Sequence, residues 1–138
     1  MTWNLRYDSQ PDHIPVSETL LRLPTSVPPD EEVPYYADFS ENPWSTRRIA
    51  VAREVDFHQP DIIGFQEALK RQVDDLATLL GDEFAHIGVG RDDGKAGGEY
   101  EAIFYRRSAL ALLEWDTFWY VFLQMHIYTR YPTRGGSG

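Results

Sequence analysis

The segment Pro60-Asp61-Ile62-Ile63-Gly64-Phe65-Gln66-Glu67-Ala68 reads as a strand that delivers a carboxylate to a sheet edge. Ile62 to Phe65 form a continuous apolar run, the pattern of a buried strand. Pro60 bars any preceding helix from continuing through Gln59. Glu67 then stands at the C-terminal end of the run, where α/β sheets place their ligands. A hard oxygen donor there suits Mg²⁺, which takes one or two carboxylates together with water and phosphate oxygens. The same residue is equally placed to serve as an acidic neighbour of the positive end of a helix starting near Ala68.

Outward from this segment the pattern alternates between helix and strand. Leu69, Val73, Leu76, Leu79 and Leu80 recur at helical spacing, and Gly81 ends that helix as a C′ residue. Upstream, Ser45 is expected to cap a helix running to about Phe57, with Ile49, Ala52 and Val55 on one face. Phe84 to Val89 reads as a second strand. In Glu99 to Arg106, Tyr100, Ala102 and Phe104 alternate with Glu101, Ile103 and Tyr105, the period of a third. Leu110 to Trp119 is expected to return as a hairpin partner. At the start of the chain, Thr2 to Tyr7 alternates so that Trp3, Leu5 and Tyr7 share one strand face and Asn4 and Arg6 the other. The fold class is α/β, with a mixed or antiparallel sheet and flanking helices.

Two stretches interrupt this order. Residues 9–43 hold Pro11, Pro15, Pro24, Pro28, Pro29, Pro34 and Pro43, and read as a long irregular loop with a brief helical turn near Glu18 to Leu23. Residues 120–138 form an aromatic stretch closing in Gly135-Gly136-Ser137-Gly138, a flexible end.

The composition bounds the chemistry. The chain has 138 residues, enough for one domain, and no cysteine, which excludes disulfides and thiolate metal sites. The net charge of −9 makes a poor field for a long polyanion, and it also simply favours solubility. No apolar run approaches the roughly 20 residues of a membrane span. Met1 leads straight into the first strand without a signal peptide, so a soluble, intracellular, cytoplasmic protein is expected. No Gly-x-Ser-x-Gly motif and no Gly-rich phosphate loop with lysine is present, which argues against the common hydrolase and nucleotide-binding classes.

Besides Glu67, four residues could carry chemistry. Asn4 and Arg6 share a strand face, where an amide and a guanidinium can hold phosphate or orient a metal-bound water, or can simply face solvent. Arg91, in the turn Gly90-Arg91-Asp92-Asp93-Gly94, is a candidate phosphate contact, although turn chemistry alone explains its neighbours. Glu99 could orient a histidine acting as general acid or base, or be a polar strand end. His13, His58, His86 and His126 show no metal-ligand spacing, and His58 and His86 read as structural.

Taken in order, these blocks resemble the endonuclease/exonuclease/phosphatase (DNase I-like) family over residues 1–119. Thr2-Trp-Asn-Leu-Arg-Tyr-Asp8 is similar to its opening strand. Pro60-Asp-Ile-Ile-Gly-Phe-Gln-Glu-Ala68 is similar to the strand whose Gln-Glu supplies a metal ligand. Gly88-Val-Gly-Arg-Asp-Asp-Gly94 with Gly98-Glu-Tyr-Glu-Ala-Ile-Phe-Tyr-Arg106 is similar to the segment that follows, and Leu113-Glu-Trp-Asp-Thr-Phe-Trp119 continues the pattern.

The resemblance implies half of a DNase I-like α/β sandwich and a metal-dependent phosphoesterase activity, in which activated water attacks a phosphate ester of unidentified type. It places Glu67 and Asn4 at an Mg²⁺ site that also accepts Mn²⁺. Asn4 and Arg91 fall at substrate contacts, with Arg91 counted among the catalytic groups beside Glu99, the histidine-orienting carboxylate. Arg6 departs from the Asp ligand of some nuclease relatives.

The Asn-Thr-His-Leu-Asp-His-like, Gly-Asp-Phe-Asn-like and Ser-Asp-His-like segments of the family have no match, and Gln124-Met-His-Ile127 matches the first only weakly. The expectation is therefore a chain inactive alone, with low metal occupancy and a sheet face that lacks its partner and promotes self-association. The alternative is a non-catalytic fragment or interaction module.

Overall fold

Strand residues that alternate apolar and polar, and helices with one apolar stripe, have one economical arrangement: the helices cover one sheet face. The computed structural model, which describes residues 1–8, 12–22 and 42–118, adopts it. The strands are β1 (Thr2–Asn4), β2 (Ile62–Ala68), β3 (Phe84–Ile87) and β4 (Tyr100–Arg106). The helices are α1 (Val16–Arg22), α2 (Trp44–His58) and α3 (Lys70–Leu80), and a 3₁₀ turn (Gly81–Glu83) leads into β3. The sheet order is β1-β2-β4-β3. β1 runs parallel to β2, and β4 runs antiparallel to both β2 and β3, so the sheet is mixed.

The core lies between this sheet and the helices. Leu5, Ile63, Phe65, Tyr100, Ala102 and Phe104 pack against Trp44, Val51 and Val55 of α2 and Val73 and Leu76 of α3. Phe65 and Phe104 meet edge to face with centroids 5.4 Å apart. α3 ends as its sequence requires: Gly81 takes φ 62°, a backbone state open to glycine, and its N–H bonds Ala77 O. Among the described residues no helix is long and apolar enough to cross a membrane.

A buried ionic network ties residues 12–22 to α2 and α3. Arg48, with no exposed surface, donates to Asp75 at 2.8 Å and to Pro15 O at 2.8 Å. Arg71 donates to Asp12 at 2.8 Å and to Ile14 O at 3.0 Å. Ser45 Oγ also donates to Asp12. Burial pushes the Asp12 carboxyl up. The hydrogen bonds from Ser45, Arg71 and the Ile14 backbone, with the Arg71 charge, outweigh it and bring the pKa down to about 2.

Several sequence expectations are corrected. Ser45 is not the cap of α2: Pro43 holds that position, and Ser45 is buried and committed to Asp12. The first strand stops at Asn4 and does not reach Tyr7, because Arg6 turns to φ 56° and its N–H bonds back to Asn4 Oδ1 at 2.7 Å. β2 is longer than its apolar run and contains Glu67. Among the described residues no strand follows β4: Arg107 to Ala109 turn, and residues 110–118 run without regular structure. Alternating residues there found no ladder partner among the described strands, since β3 and β2 already occupy both edges of β4. Within the long loop, α1 stands close to the expected helical turn. Most of the remainder of that loop, and the expectations for residues 120–138, fall outside the described residues.

Candidate functional site

Strict alternation along β2 would send residue 67 to the same face as Ile63 and Phe65, under the helices. A bulge prevents this. Phe65 pairs with Ala102 and Ala68 with Tyr100, so Gln66 and Glu67 together oppose Glu101 alone. Glu67 absorbs the extra residue in a left-handed conformation, φ 56°, a strained state for a non-glycine residue. The buried alternation resumes at Ala68, and the Glu67 carboxylate emerges on the open face of the sheet.

Asn4 meets it there. The Asn4 Nδ2 donates to Glu67 Oε1 at 2.7 Å. The amide is oriented from behind, since its Oδ1 accepts the Arg6 N–H at 2.7 Å, which leaves the NH₂ group for the carboxylate. The turn after β1 is itself clamped: Arg47 donates to Leu5 O at 2.5 Å, and Gln72 to Arg6 O at 3.0 Å. Beside this pair, Thr2 Oγ1 donates to Gln66 Oε1 at 3.2 Å. Residues 63 positions apart are thus joined by parallel pairing, and Glu67 Oε2 takes no hydrogen bond from a described residue.

Arg91 and Glu99 form a second pair. Arg91 Nη1 lies 2.7 Å from Glu99 Oε2, and its Nε lies 3.3 Å from Asp92. The loop that presents them is internally fastened. Asp93 Oδ1 accepts the N–H groups of Lys95, Ala96 and Gly97 at 2.7, 2.8 and 2.8 Å, and these bonds hold its carboxyl below the usual carboxylate range. Gly90 is required at the loop base, because a Cβ there would collide with the Gly97 backbone. Arg91, Glu99, Glu101, Ile103, Asp116 and Phe118 line one cavity of about 550 Å³.

Glu101 was not singled out by the sequence, although its alternation with Tyr100 and Ala102 already sends it to the open face. Its carboxyl is raised, by burial first and then by the negative charges of Glu99 and Glu67. Glu67, Glu99 and Glu101 therefore share one electrostatic neighbourhood. His86 lies elsewhere, stacked on Phe104 at 4.9 Å on the helix side of the sheet, with its pKa lowered chiefly by burial.

The donor set is partial. Glu67 offers one hard carboxylate oxygen beside an oriented amide, which suits an ion that keeps most of its coordination for water and phosphate. Among the described residues no three histidine, aspartate or glutamate side chains converge as a complete metal cage.

Among solved structures, the chain is similar to an endonuclease/exonuclease/phosphatase from Bacteroides vulgatus, with 34% identity over 78% of this chain and a TM-score of 0.53. The chain fits an N-terminal fragment of the endonuclease/exonuclease/phosphatase family. It spans 30% of the length of that relative, and its mixed sheet with flanking helices is a partial DNase I-like fold. It is also similar to a mannosyl-6-phosphatase from Bacteroides thetaiotaomicron VPI-5482, at 44% identity over 48% of this chain and 24% of that one, TM-score 0.46. A family protein from Bacteroides thetaiotaomicron matches at 45% identity over 47% and 23%, TM-score 0.45. No protein-family model matches the chain, and no curated protein does.

Proposed function

We propose that this endonuclease/exonuclease/phosphatase chain carries the metal-anchoring part of a phosphoesterase, with Glu67 as the anchoring ligand. The observation that supports it most is the Asn4–Glu67 hydrogen bond of 2.7 Å, made on the open sheet face by a strained bulge. Strain of this kind is retained where the surrounding structure over-determines it, and functional sites are where it concentrates. Glu67 would hold Mg²⁺, or Mn²⁺ in its place, and the ion would supply the activation of water for attack on a phosphate ester. Glu67 contributes the carboxylate, and Asn4 fixes its orientation and borders the substrate. Arg91 holds Glu99 at the edge of the cavity, where Glu99 is available to orient a general acid or base and Arg91 to meet phosphate.

No histidine of the described residues is placed beside Glu67 or Glu99 by a recorded contact. We therefore propose that the chain binds metal weakly and does not turn over substrate alone, since general acid–base catalysis contributes roughly 10²–10⁴-fold.

A second reading, a non-catalytic interaction module, is favoured by the apolar character of the same face. Ile62 is 51% exposed and Ile103 39% exposed. Such a face promotes self-association.

A near-ultraviolet circular dichroism melt, with and without millimolar Mg²⁺, tests the metal reading. The expected result is a cooperative transition that Mg²⁺ shifts upward, with the shift absent in Glu67→Ala and Glu67→Gly. Without metal, Glu67→Gly should be the more stable of the two by about 1 kcal/mol, because glycine adopts the left-handed state freely. A shift that survives Glu67→Ala would sink the assignment.

A further inference from the structure

The two segments that carry Asn4 and Glu67 are joined by one buried amide, that of Gln72. Gln72 lies on α3 and has no exposed surface. Its Oε1 accepts the Leu69 N–H at 2.9 Å, and its Nε2 donates to Arg6 O at 3.0 Å. Leu69 stands two residues after Glu67, and Arg6 two residues after Asn4.

The bonds run in a single direction around a closed circuit. Leu69 N–H donates to Gln72, and Gln72 donates to the Arg6 carbonyl. The Arg6 N–H donates to Asn4 Oδ1 at 2.7 Å, and Asn4 Nδ2 donates to Glu67 Oε1 at 2.7 Å. Glu67 returns to Leu69 through the backbone of Ala68. Flipping either amide would set donor against donor at one contact and acceptor against acceptor at the other, so both orientations are fixed.

Arg6 is the joint of the circuit, at φ 56°. A residue with a side chain keeps that left-handed state only where its surroundings over-determine it. Gln72 holds its carbonyl, together with Arg47, whose Nη2 lies 3.3 Å from the same oxygen. Without Gln72 the carbonyl loses its shorter contact, and the Leu69 N–H at the start of α3 loses its side-chain acceptor. Arg6 can then relax out of the left-handed state. Its N–H leaves Asn4 Oδ1, and the Asn4 amide is no longer turned toward Glu67.

We propose that Gln72 is the positioning residue of the Asn4–Glu67 pair, acting through Arg6 to set the direction of the hydrogen bond between them. Its effect on metal rests on the reading of Glu67 as anchor; its effect on the Asn4 amide does not.

The test is NMR on the ¹⁵N-labelled full chain, read at the Asn4 side-chain NH₂, with Mg²⁺ then titrated and followed at the Glu67 backbone N–H. Gln72→Glu keeps an acceptor for the Leu69 N–H and removes the donor to Arg6 O. Gln72→Met, neutral and close in volume, removes both, and carries the comparison if a buried charge stops the first variant from folding. Val73→Ala, the next residue on α3 and 1% exposed, is the control for packing alone. In the wild type the two Asn4 amide protons should be well separated and slow to exchange. In both Gln72 variants they should collapse toward a solvated amide. Mg²⁺ should bind about tenfold more weakly there, the lower end of what outer-shell partners of a metal ligand cost. In an Asn4→Ala background, Gln72→Met should weaken Mg²⁺ by less than about twofold further, because the two residues act in series. Val73→Ala should lower the melting temperature and leave the Asn4 signals and the Mg²⁺ affinity as they are.

Asn4 signals unchanged in the Gln72 variants, or changed equally in Val73→Ala, would overturn the proposal and leave the metal anchor standing. So would a full additional loss of Mg²⁺ affinity in the Asn4→Ala background. Asn4 signals that collapse in the Gln72 variants, while Mg²⁺ moves no Glu67 signal even in the wild type, would uphold the positioning role and overturn the metal reading instead.

Discussion

The two faces of the sheet are built from the same strands and answer to different requirements. On the helix side, Ile63, Phe65, Ala102 and Phe104 have under 2% of their surface exposed, and one continuous core joins them to α2 and α3. On the open side stand Thr2, Asn4, Gln66, Glu67, Glu101 and Ile103, polar or half-buried, with hydrogen bonds among the first four. The helix side is held by burial, which is non-directional and tolerant of sequence. The open side is held by oriented polar contacts and one strained residue, which tolerate little change in chemistry. The difference separates what holds the fold from the candidate site across the thickness of a single sheet.

That separation can be broken by mutation. The largest effect is expected at Phe65→Ala, which opens a cavity beneath both helices. Denaturant unfolding should show a loss of about 3–5 kcal/mol; a loss below 1 kcal/mol would mean that the helices do not depend on this face. An intermediate effect is expected from acid. Asp12 has its pKa depressed in the folded state to about 2, so its contribution is present above the unfolded value near 3.8 and is lost as pH falls through about 2. After allowance for solvent screening this is worth about 1 kcal/mol, and it should disappear from the pH dependence of stability in Asp12→Asn. The smallest effect on stability is expected on the open face. Ile103→Lys should change unfolding by no more than about 0.5 kcal/mol. It should nevertheless reduce any self-association seen by sedimentation, and an unchanged association state would place that contact elsewhere.

Much of the helix side was legible in the sequence. Apolar spacing located α3 and its glycine stop, and the alternation of Tyr100, Ala102 and Phe104 located β4, because burial writes a period directly into the chain. The candidate site was legible as a set of residues, and its geometry was not. Glu67 and Asn4 stood out as a carboxylate and an amide at strand ends, and the structure brings them together. The bulge that turns Glu67 outward has no signature in Phe65-Gln66-Glu67-Ala68, since alternation alone would have buried it. Arg91 and Glu99 were marked as separate candidates; their ion pair depends on how the loop folds back, a relation that no local pattern records. Ser45 and residues 110–118 were misread for a related reason: a serine before a helix and an alternating segment are local signals, and tertiary partners decided otherwise.

The pairing of Asn4 with Glu67 also governs the order of events in time. Its two residues come from segments separated by 63 positions and joined by parallel strands, the class of contact that is slow to form because a long loop must close first. A carboxylate and amide that meet only when β1 docks cannot help to start folding. A ligand held by both would act on the finished structure, prolonging its lifetime without hastening its birth.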